Sequence, residues 1–133
     1  MARRHSPHFL DGITRMPHAF TLRLRRTAAL LVTRATLAGD SHSRREGLLK
    51  REALSDDEAL VIVPTQGIHT FGMRFAIDVV WVDRRGTVVG LSRDVPPKRI
   101  RLSWRAFAAV ELAAGRIDAL GLVRGDRLEA LPS

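Results

Sequence analysis

The chain has 133 residues, of which 45% are apolar, so it has the size and composition of one domain with a single core. Because it contains no cysteine, disulfides, thiolate metal sites and cysteine nucleophiles are excluded. Its net charge of +8 comes from residues 1–51, which hold eleven basic and three acidic residues, whereas residues 52–133 hold eleven of each. Attraction to phosphate is therefore not expected to be the main property of the C-terminal part.

The sequence contains no run that is apolar enough to cross a membrane. Its longest apolar runs have five residues, against roughly 18 for a spanning helix. Residues 1–26 are interrupted by prolines and charges and lack the pattern of a secretory signal. We therefore expect a soluble, cytoplasmic protein.

Short strands dominate the predicted elements. Residues 1–19 contain two prolines, three histidines and no periodicity, which predicts a poorly ordered basic arm before one β-rich domain over residues 20–133. In chain order, strands are predicted over residues 20–24, 30–37, 59–63, 67–82, 87–91, 108–112 and 127–131, with an alternating basic and apolar segment at 99–102. For residues 28–38 a helix stays an alternative.

Two short helices and several turns complete the prediction. Ser43 and Glu46 have the spacing of a capping box, which predicts a helix over residues 43–51. One or two helical turns are predicted over residues 113–120, ending before Gly121. The resulting fold is α+β but mostly β, with an antiparallel barrel-like sheet of six to eight short strands and one or two short helices.

The most informative segment is residues 67–82, where the apolar residues fall on odd positions. An extended chain would place them on one face, with a bend at Gly72. The members of this face are Phe71, Met73, Phe75, Ile77, Val79 and Trp81. The sequence Asp-Arg-Arg-Gly at 83–86 then predicts the turn of a β-hairpin, with Asp83 as the turn-forming residue.

Residues 68–83 read Ile-His-Thr-Phe-Gly-Met-Arg-Phe-Ala-Ile-Asp-Val-Val-Trp-Val-Asp. This run resembles the signature of the domain of unknown function 192 family of bacteria and archaea, with further similarity at residues 45–51 and 110–128. The resemblance covers about residues 30–131 and implies a compact β-rich domain without an assigned activity. Many members carry a cysteine before the signature and an N-terminal export signal, and the present sequence shows neither.

The polar residues of the signature are the candidate site. His69, Thr70, Arg74 and Asp78 could line a pocket for a small molecule or a protein partner. The alternative is structural: Asp78 would accept hydrogen bonds from a turn or from Arg74, and His69 would be a satisfied structural histidine. The first hypothesis is accordingly a non-catalytic accessory domain that binds a ligand or partner near these residues.

An enzyme is the second hypothesis, with His69 as general base and Asp78 as the residue that orients it. Thr70 is the adjacent hydroxyl, but in a strand it points to the opposite face from His69, and no nucleophile-elbow spacing is present. No phosphate-binding glycine loop and no metal-ligand spacing are found, so we expect no cofactor and no metal site.

A nucleic-acid-associated protein is the third hypothesis, and it rests on the basic N-terminal segment alone. Its arginines could contact phosphates, but few aromatic residues lie among them, so nucleic acid is the less favoured partner. These arginines are Arg3, Arg4, Arg15, Arg23, Arg25 and Arg26. The aromatic residues Phe71, Phe75, Trp81 and Trp104 are interpreted as core, with an open apolar face that binds a partner as the alternative. The sequence leaves the partner and the oligomeric state open.

Overall fold

A computed structural model describes residues 7–13, 19–38 and 51–132 of the chain. Within these ranges there are nine strands and one helix, α1 (Arg116–Leu120). The strands are β1 (Phe20–Leu24), β2 (Leu30–Ala38), β3 (Glu58–Ile62), β4 (Gly67–His69), β5 (Ile77–Val82), β6 (Val88–Val95), β7 (Ile100–Leu102), β8 (Ala108–Ala113) and β9 (Leu128–Pro132). The mostly β fold is confirmed. The number of strands exceeds the predicted six to eight because the single strand predicted over residues 67–82 is divided by a turn into β4 and β5.

Seven of the strands form one curled sheet in the order β6-β5-β8-β3-β2-β1-β9. Its pairs are antiparallel except β2 and β3, which run parallel. The edge strands meet at one end, where Thr87 bridges Arg127 and the Val88 N–H donates to the Asp126 carbonyl at 2.7 Å. This curvature makes the sheet a half-barrel, as the sequence predicts.

The central strands β5 and β8 are buried on both faces. On β5, Val80 and Val82 point into the cluster that fills the half-barrel, which we call the inner core. The alternate residues Ile77, Val79 and Trp81 point into a second cluster outside the sheet, the outer core. The predicted apolar face of odd positions is therefore confirmed along β5, and the even positions form a second one.

The N-terminal segment contributes to the inner core. Leu10 and Ile13 are fully buried there, and the Phe9 N–H donates to the Arg84 carbonyl at 2.7 Å. Residues 7–13 are therefore partly packed, although the sequence predicts a poorly ordered arm over residues 1–19. The reason is that a half-barrel leaves an opening which apolar side chains must fill, and two such residues suffice without any periodicity in the sequence.

A two-stranded ribbon of β4 and β7 covers the outer core. The pair is antiparallel, with Ile68 opposite Arg101 and His69 opposite Ile100. Ile68 is buried in the outer core, so the neighbouring residue His69 points away from it. The ribbon therefore has one face on the core and one face toward solvent.

The turns predicted from the sequence are confirmed. Gly72 has φ of 83° at the predicted bend, and the turn at 83–86 joins β5 to β6. At Gly86 φ is 84°, and a Cβ atom would lie 2.5 Å from the Leu128 carbonyl oxygen, so only glycine fits. Gly121, with φ of 65°, ends α1. The five-residue α1 is short, and no helix in the described ranges is long and apolar enough to cross a membrane.

The helix predicted over residues 43–51 lies outside the described residues, apart from Arg51. Arg51 donates two hydrogen bonds to the Glu58 carboxylate, at 2.6 and 2.7 Å. These bonds hold the pKa of Glu58 down at about 2, against an ordinary 4.5.

Replacing Glu58 by glutamine should therefore lower the free energy of unfolding by about 1–2 kcal/mol at pH 7, which is the scale of hydrogen bonds to a charged group reduced by the exposure of Arg51 to solvent. Because the folded state lowers this pKa, the contribution is complete above pH 4.5 and disappears as the pH falls through about 2. Urea unfolding of both proteins between pH 7 and pH 2 would measure it. If the difference in unfolding free energy between the two proteins did not change between pH 7 and pH 2, the proposed role of the Arg51–Glu58 pair would be contradicted.

Candidate ligand-binding surface

Asp78 is a buried carboxylate on β5 with both oxygens engaged by the backbone. Its Oδ1 accepts from the Asp94 N–H at 2.8 Å, and its Oδ2 accepts from the Ile117 N–H at 2.9 Å. These bonds connect β5 to the end of β6 and to the start of α1. They favour the structural alternative for this residue, but the donors belong to β6 and α1 instead of a turn or Arg74.

His69 and Asp78 are not brought together. Asp78 alternates along β5 with Ile77, which packs in the outer core against Ile68 of the ribbon. Asp78 therefore points to the opposite side of the sheet, while His69 points from the ribbon to solvent. The His69 ring lies beside the Phe71 ring instead, with 5.8 Å between their centres.

Thr70 and Arg74 also occupy different environments. Thr70 is fully buried, donates to the Pro96 carbonyl at 2.6 Å and accepts from the Arg99 N–H at 2.9 Å. Arg74 is exposed on the turn that follows Gly72. The four residues predicted as one site are thus divided between the core, the ribbon and a surface turn. None of them lines the two cavities near the turn at 83–86.

The solvent side of the ribbon carries large apolar side chains. The exposed fractions are 75% for Trp104, 59% for Ile100, 57% for Leu102 and 50% for Phe71. Leu102 lies directly over Gly67, where a Cβ atom would approach it to 2.7 Å. We call the surface formed by His69, Phe71, Ile100, Leu102 and Trp104 the ribbon face.

The interpretation of the aromatic residues as core is wrong for Phe71 and Trp104. Both are exposed, Phe71 in the turn after β4 and Trp104 in the turn after β7, and we include them in the ribbon face because they directly follow its strands. Trp81 is buried as expected, and its Nε1–H donates to the Ser92 Oγ at 3.0 Å. Phe75 is half-buried against the outer core.

Basic residues lie close in sequence to the residues of the ribbon face. Residues 95–107 contain four basic residues and no acidic one, and Arg74, Lys98, Arg99 and Arg105 are exposed. More widely, residues 64–107 hold eight basic and three acidic residues, whereas residues 52–63 hold four acidic residues and no basic one. The balanced charge of residues 52–133 is therefore divided between an acidic and a basic segment.

A groove adjoins the ribbon face at the end of the half-barrel where the turn at 83–86 lies. Its cavity has a volume of about 390 Å³, and a neighbouring cavity of about 350 Å³ shares three of its residues. We call this the arginine groove and define it by Gln66, Arg84, Arg85, Trp104, Arg105 and Phe107.

The turn after β5 forms one wall of the arginine groove. The Asp83 Oδ1 accepts from the N–H groups of Arg85 and Thr87, at 2.9 and 3.0 Å, which confirms Asp83 as the turn-forming residue. The turn exposes both arginine side chains. The Arg84 guanidinium carbon lies 4.4 Å from the centre of the Phe107 ring, in a cation–π contact.

The segment after β7 forms the other wall. Gln66 donates from its Nε2 to the Trp104 carbonyl at 2.7 Å and accepts from the Ser103 N–H at its own carbonyl, at 2.8 Å. The Phe107 N–H donates to the Val82 carbonyl at 2.8 Å. The backbone beside Trp104 is thus fixed while its ring is exposed.

The arginine groove is not predicted from the sequence. Its residues come from three separated segments, and only the arginine pair in a predicted hairpin turn and the Trp-Arg pair at 104–105 could have indicated it. The groove and the ribbon face share Trp104, so the two features form one continuous surface. This surface combines exposed apolar side chains with the guanidinium groups of the groove. Within the described part of the chain, no group of three or more histidine, aspartate or glutamate side chains could hold a metal ion.

Comparisons with known proteins agree with this fold. A sequence profile of the domain of unknown function 192 family, described as "Uncharacterized ACR", matches residues 22–130. No curated protein is significantly similar to the chain. One similar solved structure, from Sinorhizobium meliloti 1021, is a protein provisionally described as a transcription regulator; it has a TM-score of 0.73 at 23% identity over 84% of this chain and 92% of its own.

A second similar structure comes from Novosphingobium aromaticivorans DSM 12444 and is described as a protein of unknown function. It has a TM-score of 0.72 at 20% identity over 96% of this chain and 94% of its own. At these identities the likeness shows the fold alone.

Proposed function

The chain belongs to the domain of unknown function 192 family, and we propose that it is a non-catalytic binding module that recognises a protein partner through the ribbon face. The observation that supports this most is the exposure of Ile100 and Leu102 on the solvent side of the two-stranded ribbon, together with Phe71 and Trp104 in the turns after its strands. Contiguous apolar surface of this kind is typical of interaction sites, whereas isolated exposed apolar residues are not.

The charges around the ribbon face favour a particular chemistry in the partner. Arg74, Lys98, Arg99 and Arg105 border it, and residues 95–107 contain no carboxylate. A complementary segment would place apolar side chains on the ribbon face and carboxylates opposite these cations. We therefore propose a partner segment with alternating apolar and acidic residues.

The enzyme hypothesis has less support. The Asp78 carboxylate accepts two backbone N–H groups, and the residue lies across the outer core from the side to which His69 points. A general base and the group that orients it must be within hydrogen-bond reach, or joined by one water. Nothing in the arrangement favours His69 as a base over a contact residue of the ribbon face.

The hypothesis of a nucleic-acid contact through the N-terminal segment also has less support. Arg23 is paired with Glu129 at 3.2 Å, and Arg26 with Asp126 at 2.8 Å. Their positive charges are thus already compensated. The provisional description of the Sinorhizobium meliloti protein adds little here, because 23% identity supports a shared fold and no more.

Two further expectations belong to this proposal. The cytoplasmic location and the single domain over residues 20–133 follow from the sequence analysis. The inner core extends the domain toward the N terminus, because it includes Leu10 and Ile13.

A pair of synthetic peptides tests the proposed function. A labelled peptide of alternating glutamate and leucine should bind and raise the fluorescence anisotropy, whereas alternating lysine and leucine should not, because its charges oppose those around the ribbon face. Replacing Ile100 and Leu102 together by serine should weaken binding of the acidic peptide by about tenfold or more, because apolar contact area is removed.

The matched control is Val123→Ser, which removes an equally exposed apolar side chain in the turn before β9. It should leave peptide binding unchanged. Circular dichroism and thermal unfolding of each variant would show that the fold is retained. Equal binding by the ribbon variant, or no binding of the acidic peptide by the intact protein, would refute the proposed partner chemistry.

A further inference from the structure

We infer that the arginine groove is a nucleotide-binding site, in which the base stacks on Trp104 and the phosphate lies against Arg85 and Arg105. This inference goes beyond the proposed function, because the groove differs from the ribbon face in every residue except Trp104. It depends on three features of the groove: its excess of positive charge, its aromatic rings and its size.

The charge of the groove is suited to an anion. Three arginines line it against a single carboxylate, Asp83, whose Oδ1 already accepts two backbone N–H groups. Arg85 belongs to the turn after β5 and Arg105 to the segment after β7, and both line the cavity, so one phosphate in it could accept hydrogen bonds from both guanidiniums. In the described part of the chain, carboxylate ion pairs form at Arg23, Arg26, Arg34, Arg51 and Arg93, and the two arginines assigned to the phosphate, Arg85 and Arg105, are not among them.

The aromatic rings add a contact that a bare anion would not use. Trp104 presents three quarters of its surface to solvent while its carbonyl is fixed by Gln66. A flat base can stack on such a ring, and stacking does not depend strongly on which base it is. Phe107 is less available, because Arg84 covers its ring and the His8 ring lies 5.0 Å away.

The size of the groove is consistent with one nucleotide. Its cavity of about 390 Å³ falls in the range of roughly 300 to 1,000 Å³ that is usual for small-molecule sites. The ligand class is therefore a nucleoside phosphate. It could come from a free nucleotide or from one unit of a single-stranded chain, which share the base and the phosphate.

Titration calorimetry with adenosine monophosphate, adenosine, inorganic phosphate and a short oligoadenylate tests this inference. A second signal is the tryptophan fluorescence of a Trp81→Phe variant, in which Trp104 is the one remaining tryptophan. Adenosine monophosphate should bind about tenfold or more tightly than adenosine or phosphate alone, since each of these provides only one of the two contacts. Tighter binding of the oligoadenylate would support the site with a strand as its source, provided that the same variants weaken it. If inorganic phosphate alone bound as tightly as adenosine monophosphate, the nucleotide assignment would be overturned in favour of an anion site.

Variants assign the binding to the groove. Replacing Arg85 and Arg105 together by alanine should weaken binding of adenosine monophosphate by about tenfold or more. Replacing both by lysine should cause a smaller loss of affinity, because lysine keeps the positive charge. The matched control is Arg124→Ala, another exposed arginine in the turn before β9, which should have no effect. The ribbon variant with Ile100→Ser and Leu102→Ser should bind the nucleotide normally, so the two proposals can fail separately. No binding at millimolar nucleotide, or equal binding by the double alanine variant, would overturn the inference.

Discussion

Replacing Asp78 by alanine should lower the free energy of unfolding by about 2–5 kcal/mol, since it leaves one buried and one partly buried backbone N–H group without an acceptor. The two donors are those of Asp94, after the middle of β6, and Ile117, in the first turn of α1. Both would lose a charge-assisted bond, and at Ile117 water cannot replace it, because that bond is buried. Urea unfolding at pH 7 would measure the loss directly.

Three further variants separate this role from binding. Asp78→Asn keeps one carbonyl oxygen and should lose about half as much as alanine. Asp118→Ala removes an exposed carboxylate paired with Arg93 and should change stability by less than about 0.5 kcal/mol. His69→Ala, on the ribbon face, should also leave stability nearly unchanged. If Asp78→Ala kept full stability and instead abolished binding of a ligand, the carboxylate would belong to a site after all.

The fold could be predicted from the sequence where alternation and turn chemistry act locally. The apolar odd positions of β5 and the Asp83 turn determine the hairpin without help from the rest of the chain. The parallel pairing of β2 with β3 could not be predicted in this way, because it joins strands that are far apart in sequence. The burial of both faces of β5 likewise depends on the ribbon, which a local pattern does not show.

The candidate site was harder to predict because alternation identifies a face but not what covers it. Ile77 and Phe71 belong to the same odd series, yet Ile77 is buried and Phe71 is half exposed. The difference arises at the bend of Gly72, where the chain leaves the ribbon for the sheet. The same applies to Ile100, Leu102 and Trp104, whose alternation with basic residues is equally compatible with a core face.

The net charge has to be assessed at a finer scale than the whole domain. A neutral total for residues 52–133 suggested that anionic ligands were of little importance to this part. The strand β3 separates the acidic residues at its start, including Glu58, from the basic surface beyond its end. Because an exposed charge acts over about 8–10 Å at moderate ionic strength, two such regions act independently. The arginine groove can therefore attract an anion in a domain without net charge.

The packing of the N-terminal segment changes what a deletion of this segment would measure. Deleting residues 1–19 would test a basic nucleic-acid arm if the segment were unpacked. Since Leu10 and Ile13 are fully buried in the inner core, the deletion would also remove their packing. Loss of binding after the deletion would then report unfolding as readily as a lost contact with phosphate.

Replacing Leu10 alone by alanine should lower the free energy of unfolding by about 2–5 kcal/mol, as for other fully buried leucines. The side chain fills the opening of the half-barrel beside the turn at 83–86, which Phe9 joins through its hydrogen bond to Arg84. Gly12→Ala is the matched control, because a Cβ atom there would meet nothing within 4 Å, and it should leave stability nearly unchanged. Thermal and urea unfolding would compare the two. If Leu10→Ala were as stable as the control, the segment would not be part of the core in solution, and the deletion would become a clean test of the arm.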